Sequence, residues 1–219
     1  MENRPVFRCH YRARLTQESP EGLSAAVAAC KESARRMIGE GKLMTAALYP
    51  YGRQLFLYYE ALGEVIRPEA FMAPLTPLLD LWPQKEETFP WALMHNIYWH
   101  NVPQGEQDWR RPQPPEKRRG RIAYLKPETM FRYVYHHFAI VEEGLLEGDR
   151  YQSIALHEDV LFSYFEEPKT MSNIRRDPTQ PSRAIEDWIA VDPESHFIPL
   201  PGSNGQNFLL LDPLFALGE

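Results

Sequence analysis

The two halves of this 219-residue chain carry the same short text at a fixed distance. Leu55-Phe56-x-Tyr58-x-Glu60 returns as Leu161-Phe162-x-Tyr164-x-Glu166, and Thr76-x-x-Leu79-Asp80-x-Trp82 returns as Ser182-x-x-Ile185-Glu186-x-Trp188, each pair 106 residues apart without a gap. A fixed internal period is a statement about architecture. It predicts two copies of one α+β unit, over 1–101 and 120–219, joined by a proline-rich basic linker over 102–119.

Within each copy the periodicity gives an element order. Phe7, Cys9, Tyr11, Ala13 and Leu15 alternate with Arg8, His10, Arg12 and Arg14, which predicts a strand. Leu23, Val27, Cys30, Ala34 and Met37 recur at helical spacing, after Ser19-Pro20 as a helix start and before Gly39 and Gly41 as its end. Leu43–Tyr49 and Gln54–Ala61 flank Pro50-Tyr51-Gly52, a hairpin signal. A second helix is expected from Thr76 through Trp82, and a last strand over Leu93–Asn101. The second copy repeats the order, with Gly148 expected at its helix end and Phe208–Asp212 as its last strand. β-α-β-β-α-β is the ferredoxin-like arrangement, with both helices on one face of an antiparallel sheet. Two covalently joined copies can bury their bare faces against each other, so the expected fold is α+β, an intrachain pseudo-dimeric α+β barrel.

A formal charge of −6 argues against a general nucleic-acid binder. The local exception is Arg110, Arg111, Lys117, Arg118, Arg119 and Arg121 among Pro103, Pro112, Pro114 and Pro115; solvated linker and anion-binding arm are its two readings. No apolar run reaches the ~20 residues of a membrane helix, and Met1-Glu2-Asn3-Arg4 leads straight into a strand. A cytoplasmic protein with no membrane contact is expected, a monomer holding its own pseudo-dimer. Cys9 and Cys30 are too few for a disulfide framework or a four-thiolate zinc site. No histidine or cysteine spacing fits a metal and no glycine-rich phosphate loop is present, so neither metal nor cofactor is expected.

Residues on the strand faces away from the helices supply the candidate site. Phe56, Tyr58 and Glu60 share one side of the third strand, and Phe162, Tyr164 and Glu166 repeat it. The opposite side has drifted, Leu57 becoming Ser163. The first strand should lie beside the third, bringing Arg8, His10 and Arg12 to Tyr58 and Glu60. In the last strand Ile97 and Trp99 should meet the helices, turning Asn96, Tyr98 and His100 inward. Such a polar, aromatic-lined enclosure suits a small ligand held by a few hydrogen bonds over apolar walls. His137 lies on the core stripe of its helix; core histidine and cavity acid or base are both open readings. Trp82 and Trp188 are core anchors or stacking platforms.

The stretch from the second copy's first helix through Gly148, Tyr151-Gln152-Ser153-Ile154-Ala155-Leu156 and Leu161-Phe162-Ser163-Tyr164-Phe165-Glu166 resembles the L-rhamnose mutarotase group of the dimeric α+β barrel superfamily. The resemblance implies a histidine on the first helix, a strand tyrosine and tryptophans around a pyranose, carried here by His137 or His136, Tyr151, and Trp82 or Trp188. After His136-His137 comes Phe138-Ala139-Ile140-Val141, where that family has His-x-x-x-Trp-Pro-Glu.

The leading expectation is therefore a sugar mutarotase-like isomerase. Glu60 or Glu166 would act with His10, His100 or His137 as acid and base. Arg8, Arg12, Tyr58, Tyr98, Tyr151, Tyr164, Trp82 and Trp188 would bind the sugar. The alternatives are a non-catalytic small-molecule-binding barrel and a cofactor-free monooxygenase or haem-binding relative.

Overall fold

The computed structural model describes residues 3–169, 174–175 and 179–219. Its first elements are β1 (Val6–Arg14), α1 (Leu23–Gly39), β2 (Leu43–Tyr51), β3 (Gln54–Leu62), α2 (Glu69–Met72), β4 (Trp82–Gln84), β5 (Glu87–Phe89) and β6 (Ala92–Leu93). Then come β7 (His95–Trp99), α3 (Glu106–Trp109), β8 (Lys117–Leu125), α4 (Met130–Glu143), β9 (Leu146–Glu147), β10 (Ser153–His157) and β11 (Val160–Glu167). The chain closes with β12 (Ile174–Arg175), α5 (Arg183–Ala190), β13 (Phe197–Ile198), β14 (Leu209–Leu211) and β15 (Phe215–Gly218). It is a mixed α+β fold on antiparallel sheets.

The chain divides into two compact units. The first holds Met1–Met94, Pro103–Pro115 and Asp212–Glu219; the second holds His95–Val102 and Glu116–Leu211. In the first, the strand order is β15-β2-β3-β1-β6. Cys9, Ala13, Leu55, Leu57 and Tyr59 pack with Cys30, Ala34 and Met37 of α1. The other face carries His10, Arg12, Phe56, Tyr58 and Glu60, all buried. In the second unit the order is β13-β8-β11-β10-β7, with β14 also on β8. Ala123, Leu125, Ile154 and Leu161 pack with Tyr133 and Ile140 of α4 and Ala184 of α5.

The boundaries at 101 and 120 do not follow this pairing. β7 joins β10 in the second unit, and β15 joins β2 in the first. A sheet edge needs a strand to satisfy its backbone groups, and local periodicity does not say which edge a strand will take. Nor is 102–119 wholly a linker: Glu106–Trp109 is a helical turn, and β8 starts at Lys117.

The expected helix from Thr76 to Trp82 is also corrected. Ala73–Leu78 is a 3₁₀ turn containing Pro77, and Trp82 opens the β4–β5 hairpin. Proline removes the amide an α-helix would use there. α1 starts at Leu23 behind Gly22 rather than at Ser19-Pro20. α4 ends at Gly144, not Gly148. Gly144 caps the helix at φ 68°, a left-handed conformation that a Cβ penalises.

Candidate functional site

Glu60 is the best-held side chain of the first unit. β1 and β3 pair with Arg8 opposite Glu60 and His10 opposite Tyr58, so pleating puts these side chains on one face. The Tyr58 hydroxyl donates to Glu60 Oε1 at 2.7 Å and Trp109 Nε1 to the same oxygen at 2.8 Å. Arg111 grips both oxygens, Nη2 donating to Oε1 at 2.9 Å and Nη1 to Oε2. Trp109 and Glu60 are fully buried. Arg8 Nε donates to the Tyr58 hydroxyl at 3.3 Å, and its guanidinium lies 5.2 Å from the Trp109 ring. Glu106 fixes the segment that brings Trp109 and Arg111 in, accepting from Arg4 Nε at 2.7 Å.

Burial by itself would raise the Glu60 pKa, but the Arg111 charge and the hydrogen bonds from Arg111, Tyr58 and Trp109 bring it below the usual carboxylate value. Burial, then Arg8, holds His10 well below its ordinary pKa, so the ring is neutral; it meets the Tyr58 ring edge-on at 4.9 Å. Burial, then the Glu60 charge, raises Tyr58 well above the phenol range. Arg12 lies 5.1 Å from the Trp82 ring. Both Glu60 oxygens in this cluster accept from side chains that are themselves buried.

The second unit repeats part of it. Tyr164 donates to Glu166 at 2.7 Å. Arg118, opposite Glu166 in the β8–β11 register, approaches only to 3.7 Å. Its Nε and Nη2 are buried and donate to nothing among the described residues.

Tyr98 and His100 do not turn away from the helices as expected. The Tyr98 ring packs 5.3 Å from His137 of α4, and His100 packs 5.0 Å from Tyr98. Ile97 joins the α4 core and the Trp99 ring packs 5.8 Å from Phe138 of α4, as expected, so residues from both sides of this edge strand meet the helix. His137 is a core histidine, stacked on Tyr133 at 3.9 Å and bonded through Nδ1 to the Tyr133 carbonyl at 2.9 Å. Burial lowers its pKa to about 4. Trp188 meets His136, His137 and His196 at 5.0 to 5.5 Å, and His196 is fully buried. Tyr151 is buried in the turn before β10. A cavity of about 130 Å³ beside Tyr98 and His100 is bounded by Ile140, Val141 and Gly144. No group of three metal-ligating side chains occurs among the described residues.

A larger hollow opens where sequence reasoning placed nothing. It measures about 480 Å³ and is lined by Arg121, Phe165, Ser203, Asn204, Gln206 and Phe208 with neighbouring residues of the 202–210 segment. Arg121 lies opposite Ser163 in the β8–β11 register, and its Nε donates to Ser163 Oγ at 3.3 Å. Its guanidinium is 4.5 Å from the Phe208 ring and 5.2 Å from Phe165. The signals were the drift from Leu57 to Ser163 and an arginine in the basic run. A similar volume in the first unit, about 470 Å³, is lined by Gln84 to Glu87 and Phe89 of one hairpin. Among the described residues its lining comes from that hairpin alone.

Neither a protein-family model nor a curated protein matches the chain. Three solved structures similar to it are candidate monooxygenases from Fusobacterium nucleatum and Lactobacillus acidophilus and an anthrone oxidase-like protein. The first is 9% identical, covers 100% of this chain and 96% of its own, and has a TM-score of 0.44. The second is 6% identical over 99% and 97%, with a TM-score of 0.44. The third is 7% identical over 98% and 96%, with a TM-score of 0.40. At these scores none assigns a reaction. None is described as a sugar isomerase, and the mutarotase, isomerase and carbohydrate expectation is corrected accordingly. Glu60 supplies the physical reason: an acid or base must exchange a proton, and this carboxylate is sealed and held by Arg111, Trp109 and Tyr58.

Proposed function

We propose that this chain binds a small molecule in the Arg121 hollow of its second unit, with the first unit serving as scaffold. The observation that carries this reading is the hollow's size and lining. About 480 Å³ falls in the range of small-molecule sites, and its walls mix aromatic rings with a few hydrogen-bonding groups. The described residues lining it are an arginine, aromatic and aliphatic groups, a hydroxyl and amides, a set suited to recognition. The closed Glu60 cluster supports the division of labour between the units.

The proposal retains the duplicated ferredoxin-like unit and the pseudo-dimeric α+β barrel as its architecture. The shared middle order, with the hairpin's second strand between its first and the unit's opening strand, supports it. It also retains a monomeric, cytoplasmic protein; no helix among the described residues is long and apolar enough to cross a membrane.

A thermal-shift and NMR screen of small molecules against the whole chain tests the reading. Hits should perturb the signals of Phe165, Ser203, Gln206 and Phe208. Perturbations confined to other residues would reject the hollow as the site. Oxygen uptake with a bound hit, or a visible band on adding haem, would replace this reading with the oxygen- or haem-handling alternative.

A further inference from the structure

Among the arginines of this chain, Arg121 is held unlike its neighbours in the basic run. Arg111 grips Glu60, Arg118 faces Glu166 and Arg119 bonds Glu167. Arg121 pairs with no carboxylate among the described residues; its contacts are the Ser163 hydroxyl and the Phe165 and Phe208 rings. Burial depresses its pKa, opposed only by Tyr133. A guanidinium taken from water without a counter-charge is costly; the Phe165 and Phe208 rings offset part of that cost, and the described residues of the lining hold no opposite charge.

The fork is also positioned. Ser163 accepts from Nε and fixes one edge of the guanidinium, while the two rings restrict its swing. Its Nη groups remain to make two parallel hydrogen bonds, the geometry that matches one carboxylate. Phe165, Phe208 and Leu209 offer an apolar wall for a flat body, and Ser203, Asn204 and Gln206 offer polar groups for its substituents.

Resting on the reading that this hollow is a ligand site, we infer that its ligand is a carboxylic acid with a planar apolar body, anchored by Arg121. One guanidinium satisfies a monoanion. A phosphate ester would demand a second cation; the described residues of the lining contain none besides Arg121, and Lys169, 5.1 Å from the Phe165 ring, stands outside that lining.

Calorimetric titration of the full chain with 2-naphthoate, the neutral 2-naphthalenemethanol and 2-naphthyl phosphate tests this. Naphthoate should bind at least about tenfold more tightly than the alcohol, the size expected of charge-assisted hydrogen bonds, and more tightly than the phosphate. Arg121→Gln should abolish that preference, and Arg121→Lys should restore it only in part because the fork is lost. Should Arg121→Gln fail to fold, Ser163→Ala keeps the charge but frees the guanidinium, and a severalfold loss for naphthoate alone is expected. Equal binding of acid and alcohol, or tighter binding of the phosphate, would overturn the carboxylate inference while leaving the hollow a ligand site. No binding of any probe, with no NMR perturbation at Phe165 or Phe208, would remove the site itself.

Discussion

Leu57 and Ser163 occupy the same place in strands that otherwise carry matching text, and their surroundings have gone opposite ways. In the first unit Leu57 lies opposite Tyr11, whose ring stacks on Tyr59 at 5.9 Å within the core. In the second, Ser163 lies opposite Arg121 and bonds it. The reverse faces changed less: Tyr58 to Glu60 and Tyr164 to Glu166 are the same 2.7 Å bond. The Tyr–Glu faces of the two strands are alike, whereas the Leu57 side is packed with apolar groups and the Ser163 side holds an arginine. Drift between matched positions locates the hollow better than identity does.

The largest expected effect breaks the matched face. Arg111→Ala should destabilise the first unit by about 3–5 kcal/mol, because it strands a fully buried carboxylate. Arg118→Ala should cost less, since Arg118 makes no hydrogen bond to Glu166 at 3.7 Å. Hydrogen exchange read separately on β3 and β11 peptides checks both. Equal losses would mean the two clusters are energetically alike.

Next comes the divergent face. Leu57→Ser leaves a cavity and an unpaired hydroxyl in a fully buried site and should cost about 3–5 kcal/mol. The converse pair, Arg121→Tyr with Ser163→Leu, rebuilds the first unit's arrangement in the second. It should eliminate naphthoate binding while changing stability by less than about 2 kcal/mol. Denaturation and calorimetry together decide it. A rebuilt pair that still binds the acid would contradict the assignment of Arg121.

Periodicity made β1 to β3, α1, β8, β10, β11 and α4 legible, because each is a single run whose buried face repeats. It gave β7 as a strand but not its pairing with β10, and it did not give β15; such partners lie far along the chain and are chosen by open sheet edges. Tyr98 was misplaced for the same reason. Trp109 and Arg111 were read as linker because proline and charge surround them, yet Trp109 is fully buried. Two facts pointed there: a large indole is out of place in a solvated linker, and a buried Glu60 requires a cation. Arg121 was hidden in the same basic run, where proline and charge masked its place on β8.

Each unit also buries a neutral imidazole, His10 in the first and His137 in the second, which sets a pH dependence. His137 titrates near 6.5 when unfolded and about 4 when folded. Folding therefore favours the neutral ring, so this contribution is whole above pH 6.5 and disappears as pH falls toward 4. Its size is about 3 kcal/mol at most. His137→Phe keeps an aromatic ring and should flatten stability against pH across that window. An unchanged slope would place the effect on His10 and His136, whose burial also lowers their pKa values.

The smallest expected effect compares the two helix ends. Gly39 is the last residue of α1, with ordinary helical backbone and open space where a Cβ would go. Alanine there reduces only the freedom of the unfolded chain, so Gly39→Ala should stabilise by about 0.5–1 kcal/mol. Gly144 stands just beyond α4 at φ 68°, where a Cβ crowds the following carbonyl oxygen. Gly144→Ala should cost about 1 kcal/mol or more although its Cβ would meet nothing closer than 3.9 Å. The sign difference, read from thermal melts of the two variants, separates backbone strain from packing. A loss in both would mean that Gly39 is held by a contact its open surroundings do not reveal.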